Sequence, residues 1–141
     1  RAHARVIVLD ENFQDAQCAQ LRSWRIRFRR IGIDIAAKGI LDPAILPLLH
    51  RLTRPTLVTG DRRIYDRNLR HARYCVVVLD VRPNDRARFT RRFLRHPAFR
   101  TFAQRQGCVI RVGYEAVHAW RPGARSEEEL AWPRASRRAS G

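Results

Sequence analysis

The sequence predicts a three-layer α/β/α domain around a central, mostly parallel sheet of four to five strands. Three observations predict it: short runs that are apolar throughout, segments of helical period between them, and a length of 141 residues that suits one domain. A run that is apolar on both sides reads as a strand covered on both faces, the condition of a parallel sheet between helix layers. Val6, Ile7, Val8 and Leu9 form the first such run, and residues 74–79 form the longest. Residues 56–59 and 108–112 are shorter examples. Residues 24–29 differ, because strict alternation sets Trp24, Ile26 and Phe28 against Arg25, Arg27 and Arg29. That pattern predicts an edge strand guarded by arginine.

Helices are expected between the strands. Residues 12–22 carry Phe13, Ala16, Gln17, Gln20 and Leu21 at near-helical spacing. Asp42 can cap a helix with Pro43 at its first position, followed by Ile45, Leu48, Leu49 and Leu52 and interrupted by Pro47. A weaker helix is expected over 61–71, a stronger one over 82–95, and a short one over 97–104 ending before Gly107. The folded domain is expected to span 1–120, with 81–120 as a basic helical extension and last strand. Residues 121–141 combine proline and glycine breakers, Glu127, Glu128 and Glu129, and an arginine-serine end. They read as a mobile tail that Trp120 and Trp132 can pin in part.

The charge is unusual for such a domain. Lysine and arginine number 29 against 13 acids, a formal charge of +16, and every basic residue but Lys38 is arginine. The resulting field attracts polyanions and speeds their arrival. No apolar run approaches the roughly 20 residues that span a bilayer, so a soluble cytosolic protein without a membrane partner is expected. Cys18, Cys75 and Cys108 lie too far apart for a metal knuckle and are expected as unbridged thiols, Cys75 and Cys108 buried within strands.

Against this basic background the aspartates are concentrated. Seven of eight fall within the first 80 residues, and two runs end alike, Val8-Leu9-Asp10 and Val78-Leu79-Asp80, while a third ends Thr59-Gly60-Asp61. Ligands of open parallel sheets bind outside the carboxyl ends of the strands. Clustered carboxylates repel one another unless a hard cation such as Mg²⁺ or Mn²⁺ neutralises them. Such ions orient water and polarise a phosphoryl group while arginines hold the other phosphates. The five histidines are scattered and make no zinc arrangement. Hard-metal phosphodiester hydrolysis is the chemistry these residue types favour. Capping remains an alternative for Asp42 and Asp61, pairing with Arg62 or Arg70 for Asp66, and the turn before Arg82 and Pro83 for Asp80.

Three segments in order, Leu9-Asp10-Glu11-Asn12, then Ile40-Leu41-Asp42-Pro43-Ala44-Ile45, then Leu57-Val58-Thr59-Gly60-Asp61, resemble the PIN-like nuclease superfamily. The likeness is to its small prokaryotic members related to VapC-type toxins, and it covers about residues 6–80. It implies a Mg²⁺- or Mn²⁺-dependent endoribonuclease with Asp10, Asp42 and Asp61 as catalytic carboxylates and Glu11 at the margin of the metal site. Where relatives carry a further acid two residues on, this chain has Arg63, so Asp66 becomes the candidate for the fourth carboxylate. An active toxin ribonuclease and a catalytically silent RNA-binding or protein-binding module of the same shell both stay open. RNA is the expected partner, with an acidic antitoxin-like protein and a second copy of the chain as others. Arg62, Arg63, Arg88, Arg91, Arg92 and Arg95 are the candidates for phosphate contact.

Overall fold

The structure, a computed structural model, describes residues 6–32 and 42–134, and the side chains of all of these except 42–46. Five parallel strands, β1 (Val6–Leu9), β2 (Arg29–Arg30), β3 (Pro55–Thr59), β4 (Cys75–Leu79) and β5 (Val109–Val112), continue into antiparallel β6 (Ala116–Trp120) and β7 (Glu128–Ala131). The order across the sheet is β2-β1-β3-β4-β5-β6-β7. The α/β/α layering agrees with the sequence. The strand count does not: a seven-stranded mixed sheet replaces the expected four to five mostly parallel strands. The added strands escaped notice for a physical reason. β7 is an edge strand with Glu128 and Glu129 exposed, and only Leu130 turns toward the core, so it carries no apolar run.

Alternation along the central strands separates two cores. Ile7, Leu9, Val58, Val77 and Leu79 face α1 (Asp15–Ser23), α3 (Arg86–Leu94) and α4 (Phe102–Arg105). Val8, Leu57, Val76 and Val78 face α2 (Asp42–Arg51) and the 3₁₀ turn Arg62–Ile64. The β3 to β4 and β4 to β5 links step the same way across the sheet but cover opposite faces, so they have opposite hands. The β4 to β5 link is anchored by Arg105. Only 2% exposed, it donates from Nε to Thr56 Oγ1 (3.0 Å) and from Nη1 to Phe99 O (2.9 Å). Cys18, Cys75 and Cys108 are buried and free, and burial raises each thiol's pKa. No helix among the described residues is long and apolar enough to cross a membrane.

Several local expectations are corrected. Of residues 24–29 only Arg29 pairs in the sheet, together with the next residue, Arg30, although the alternation in burial is kept. The cause is the end of α1: Ile26 N bonds Leu21 O and Arg25 N bonds Arg22 O, a Schellman closure with Arg25 at φ 63°. A glycine there would have marked the stop, and the arginine conceals it. The expected helix over 61–71 is two 3₁₀ turns, Arg62–Ile64 and Arg67–Leu69, capped by Asp61 and Asp66. The helix over 82–95 splits into a 3₁₀ turn at Pro83–Asp85 and α3. That over 97–104 shrinks to α4, opened by a Thr101 and Gln104 capping box.

The segment after Trp120, expected as a mobile tail, is built into the sheet through β7, and the folded unit extends past residue 120. Trp132 Nε1 donates to Gly113 O (2.9 Å), and its ring meets Phe89 edge-on. His96, buried, donates from Nε2 to Ala131 O (3.0 Å) and accepts from Ala98 N at Nδ1. Residues 135–141 of that expectation lie outside the described residues.

Two stability measurements follow. Arg25→Gly should stabilise by about 0.5–1 kcal/mol in urea denaturation, since glycine takes positive φ without steric cost. No gain would mean that the helix end is not strained. Trp132→Ala should cost about 2 kcal/mol by loss of packing and of a hydrogen bond to Gly113 O. A cost below about 0.5 kcal/mol, the scale of an ordinary surface substitution, would show β7 to be detachable.

Candidate functional site

The site is set by connectivity. After β1 the chain passes over the α1 face to β2, and after β3 it passes over the other face to β4. Because the two links part, the carboxyl ends of β1 and β3 lie at a topological switch point, the place where open α/β sheets bind ligands in a crevice. Asp10 ends one side of it, and Thr59, Gly60 and Asp61 end the other.

Asp10 is 8% exposed, yet its carboxylate is well supplied with donors. Oδ2 accepts from the Thr59 hydroxyl (2.5 Å) and the Gly60 amide (3.2 Å), and Oδ1 accepts from the Asn12 amide (2.9 Å). Thr59 Oγ1 in turn accepts from Asp61 N (3.0 Å). One hydroxyl therefore joins the two strand ends, holding the Asp10 carboxylate and the Asp61 backbone. Charge-assisted bonds of this kind offset the cost of burying a carboxylate.

Asp61 and Asp80 are met by arginine. Arg63 places Nε 3.0 Å from Asp61 Oδ1 and Nη2 2.8 Å from Oδ2, while Asp61 Oδ1 also caps the 3₁₀ turn by accepting from Arg63 N. Asp80, at the end of β4, is 2.8 Å from Arg62 Nε and 3.6 Å from Arg111 Nη1. The Arg62 and Arg63 side chains are 75% and 81% exposed, so neither pair is a strong constraint.

The other candidates divide. Asp66 is not brought to the crevice: its Oδ1 accepts from Asn68 N (2.8 Å), and the chain beyond it leads to Arg67 and Arg70 over Trp120 at the opposite end of the sheet. A helix would have stacked Asp66 one turn from Arg62, but the 3₁₀ turns carry it away. Glu11 is half-exposed in the turn after β1. The Asp42 backbone begins α2, and its side chain lies outside the described residues. Among the described residues no three His, Cys, Asp or Glu side chains group closely enough to hold a metal ion.

On α3 the basic face is partly an internal one. Arg91 stacks on Trp24 (4.4 Å to the ring centre), and Arg92 stacks on Trp132 (4.3 Å) and Phe89 (4.9 Å), where burial lowers its pKa. Arg88 pairs with Asp85 (3.2 Å), and Arg95 is exposed. Arg88 and Arg95 thus remain the better candidates for an outside phosphate.

Sequence reasoning passed over Arg86. It begins α3, on the stripe shared with Phe89, Thr90 and Phe93, and its guanidinium packs against Gly60 and over the Phe13 ring (5.9 Å). That helical spacing was the available signal. Beside it an open cleft of about 430 Å³ is lined by Gln14, Arg82, Pro83, Asn84 and Asp85. The Tyr114 hydroxyl, bonded to Asp85 at 2.5 Å, holds that carboxyl below its usual range, with Arg88 adding to the effect. Tyr65, half-buried and donating to Glu127, is pushed well above the ordinary tyrosine range, first by burial and then by that bond.

No protein-family model, no curated protein and no solved structure matches the chain.

Thr59→Val should destabilise by about 1–3 kcal/mol, because it leaves a buried carboxylate short of a donor, whereas Thr59→Ser should stay near wild type. Equal stability of all three would remove Thr59 from this role. For Asp85, a depressed folded pKa gives stability that is present above the unfolded value and lost as pH falls through the folded one. Tyr114→Phe should raise the Asp85 midpoint in a ¹³C carboxyl titration. An unmoved midpoint would show that the hydroxyl is not the cause.

Proposed function

We propose that the protein is a PIN-like endoribonuclease that hydrolyses RNA phosphodiester bonds with Mg²⁺ or Mn²⁺ at the β1/β3 crevice. The observation that carries this reading is Asp10 and Asp61 at the carboxyl ends of adjacent strands on either side of the topological switch point, linked through Thr59. Both offer hard oxygen donors. Mg²⁺ characteristically takes one or two carboxylates, keeps several waters and shares the substrate's phosphate oxygens, which this donor set fits. Asp10 and Asp61 would hold the ion, with Asp42 and Glu11 as further donors. A bound ion supplies activation of water and neutralisation of charge at phosphorus. Asp10 contributes a carboxylate fixed in orientation by three donors, and Asp61 contributes a second one, shared with the exposed Arg63.

A second reading is favoured by one observation, the two-point pairing of Arg63 with Asp61. If that pairing persists, the shell is a silent module that binds RNA or an acidic protein through its arginines. A role as the toxin of a toxin-antitoxin pair, and self-association, belong to the same proposal.

The deciding assay is cleavage of single-stranded RNA by the purified chain with and without Mg²⁺ or Mn²⁺. Asp10→Asn and Asp61→Asn should each abolish metal-dependent cleavage while leaving the circular dichroism spectrum unchanged. Wild-type activity in both variants would exclude this site. Arg63→Ala should raise cleavage at limiting metal, and an absence of cleavage in wild type and Arg63→Ala alike favours the silent module. Arg88→Gln with Arg95→Gln should weaken binding of unrelated RNAs about equally and make the log-log salt dependence shallower by roughly one unit for each phosphate no longer engaged. An unchanged slope with loss of an acidic protein partner would make α3 a docking face.

A further inference from the structure

We propose that the Arg86 guanidinium is a phosphoryl-binding group in the β1/β3 crevice and that Gly60 is glycine to make room for it. The inference deepens the hydrolytic reading by naming the group that receives the substrate's phosphate. A Cβ at position 60 would lie 2.3 Å from Arg86 Nη2, 2.6 Å from Cζ and 2.9 Å from Nε, so no other residue fits there without moving the guanidinium. Phe13, three residues beyond Asp10, lies under the same guanidinium. Gly60 N is itself bonded to Asp10 Oδ2. Arg86 therefore reaches from α3 to the strand ends and rests beside the backbone amide that holds the central carboxylate.

Its lack of a carboxylate partner among the described residues leaves this group available to an anion. Asp15, Asp61, Asp80 and Asp85 each pair with an arginine, namely Arg30, Arg63, Arg62 and Arg88. No carboxylate among the described residues pairs with Arg86, and its Nε is buried with no hydrogen-bond partner. A buried donor left unmade costs about 1–3 kcal/mol. An oxyanion entering the crevice recovers that cost, and a guanidinium fork matches phosphoryl oxygens at two points. Helix α3 supplies a fixed base for it, because Gln17 Oε1 accepts from Ala87 N (2.7 Å) and Thr90 bonds back to Arg86 O (2.8 Å).

The test titrates the full chain with inorganic phosphate, without metal, and follows the Arg86 Nε–Hε and Gly60 amide resonances by ¹⁵N NMR. Both should shift saturably, acetate at the same ionic strength should not reproduce the shift, and binding should weaken at least about tenfold in Arg86→Gln. Arg125→Gln, an exposed arginine outside the crevice, should bind as wild type. Gly60→Ala, which keeps the arginine but displaces it, should weaken phosphate like Arg86→Gln and covers the case in which that variant misfolds. Unmoved Arg86 and Gly60 resonances at saturating phosphate, equal shifts with acetate, or equal losses in Arg125→Gln would overturn the proposal. The titration needs no cleavage, so its failure is separable from that of the hydrolytic reading, which rests on the Asp10→Asn and Asp61→Asn assays.

Discussion

The hydrogen bond from the Thr59 hydroxyl to Asp10 is the contact on which the rest of the site depends. It joins β1 to β3 where their onward links diverge to opposite faces, and it adds a side-chain bond beside the backbone bond from Asp10 N to Val58 O (3.2 Å). Through it the buried Asp10 gains a donor, and through the same oxygen Asp61 N is fixed. A carboxylate this well buried is stable only where such donors are preset. The fold contributes the location, and the sequence Thr59-Gly60-Asp61 contributes a hydroxyl, a bare backbone and an acid at successive positions.

Around this centre the chain arranges an opposition of charge. A protein of net charge +16 keeps Asp10, Asp61 and Asp80 at one end of the sheet and sets Arg62, Arg63, Arg86 and Arg111 among them. Arginine suits the task because its stem packs on apolar surface while its plane pairs with carboxylates, stacks on rings or binds phosphate. Arg91 on Trp24 and Arg92 on Trp132 use the packing and stacking properties to hold α3 and β7 in place. Basic charge in this chain is therefore partly structural, and its total overstates the surface offered to a polyanion.

The parts legible in the sequence were those with a local cause. β1, β3 and β4 were visible because burial on both faces demands unbroken apolar runs, and Asp10 and Asp61 were visible because they terminate them. What escaped depends on distant partners. β6 and β7 are fixed by antiparallel pairing, Arg25 replaces the glycine that would have announced the end of α1, and Asp66 is carried from the site by 3₁₀ turns that look helical in composition. Arg86 was hidden among neighbouring arginines, since its packing against Gly60 joins residues distant in the chain.

The central claim is that the carboxyl ends of β1 and β3 form one divalent-metal and phosphate site. Paramagnetic broadening by substoichiometric Mn²⁺ tests it without reference to turnover. The account predicts that amide signals of residues 10–12 and 59–61 are lost first and that Asp10→Asn abolishes the effect. Broadening centred on Glu127, Glu128 and Glu129, or none at the strand ends, would contradict it.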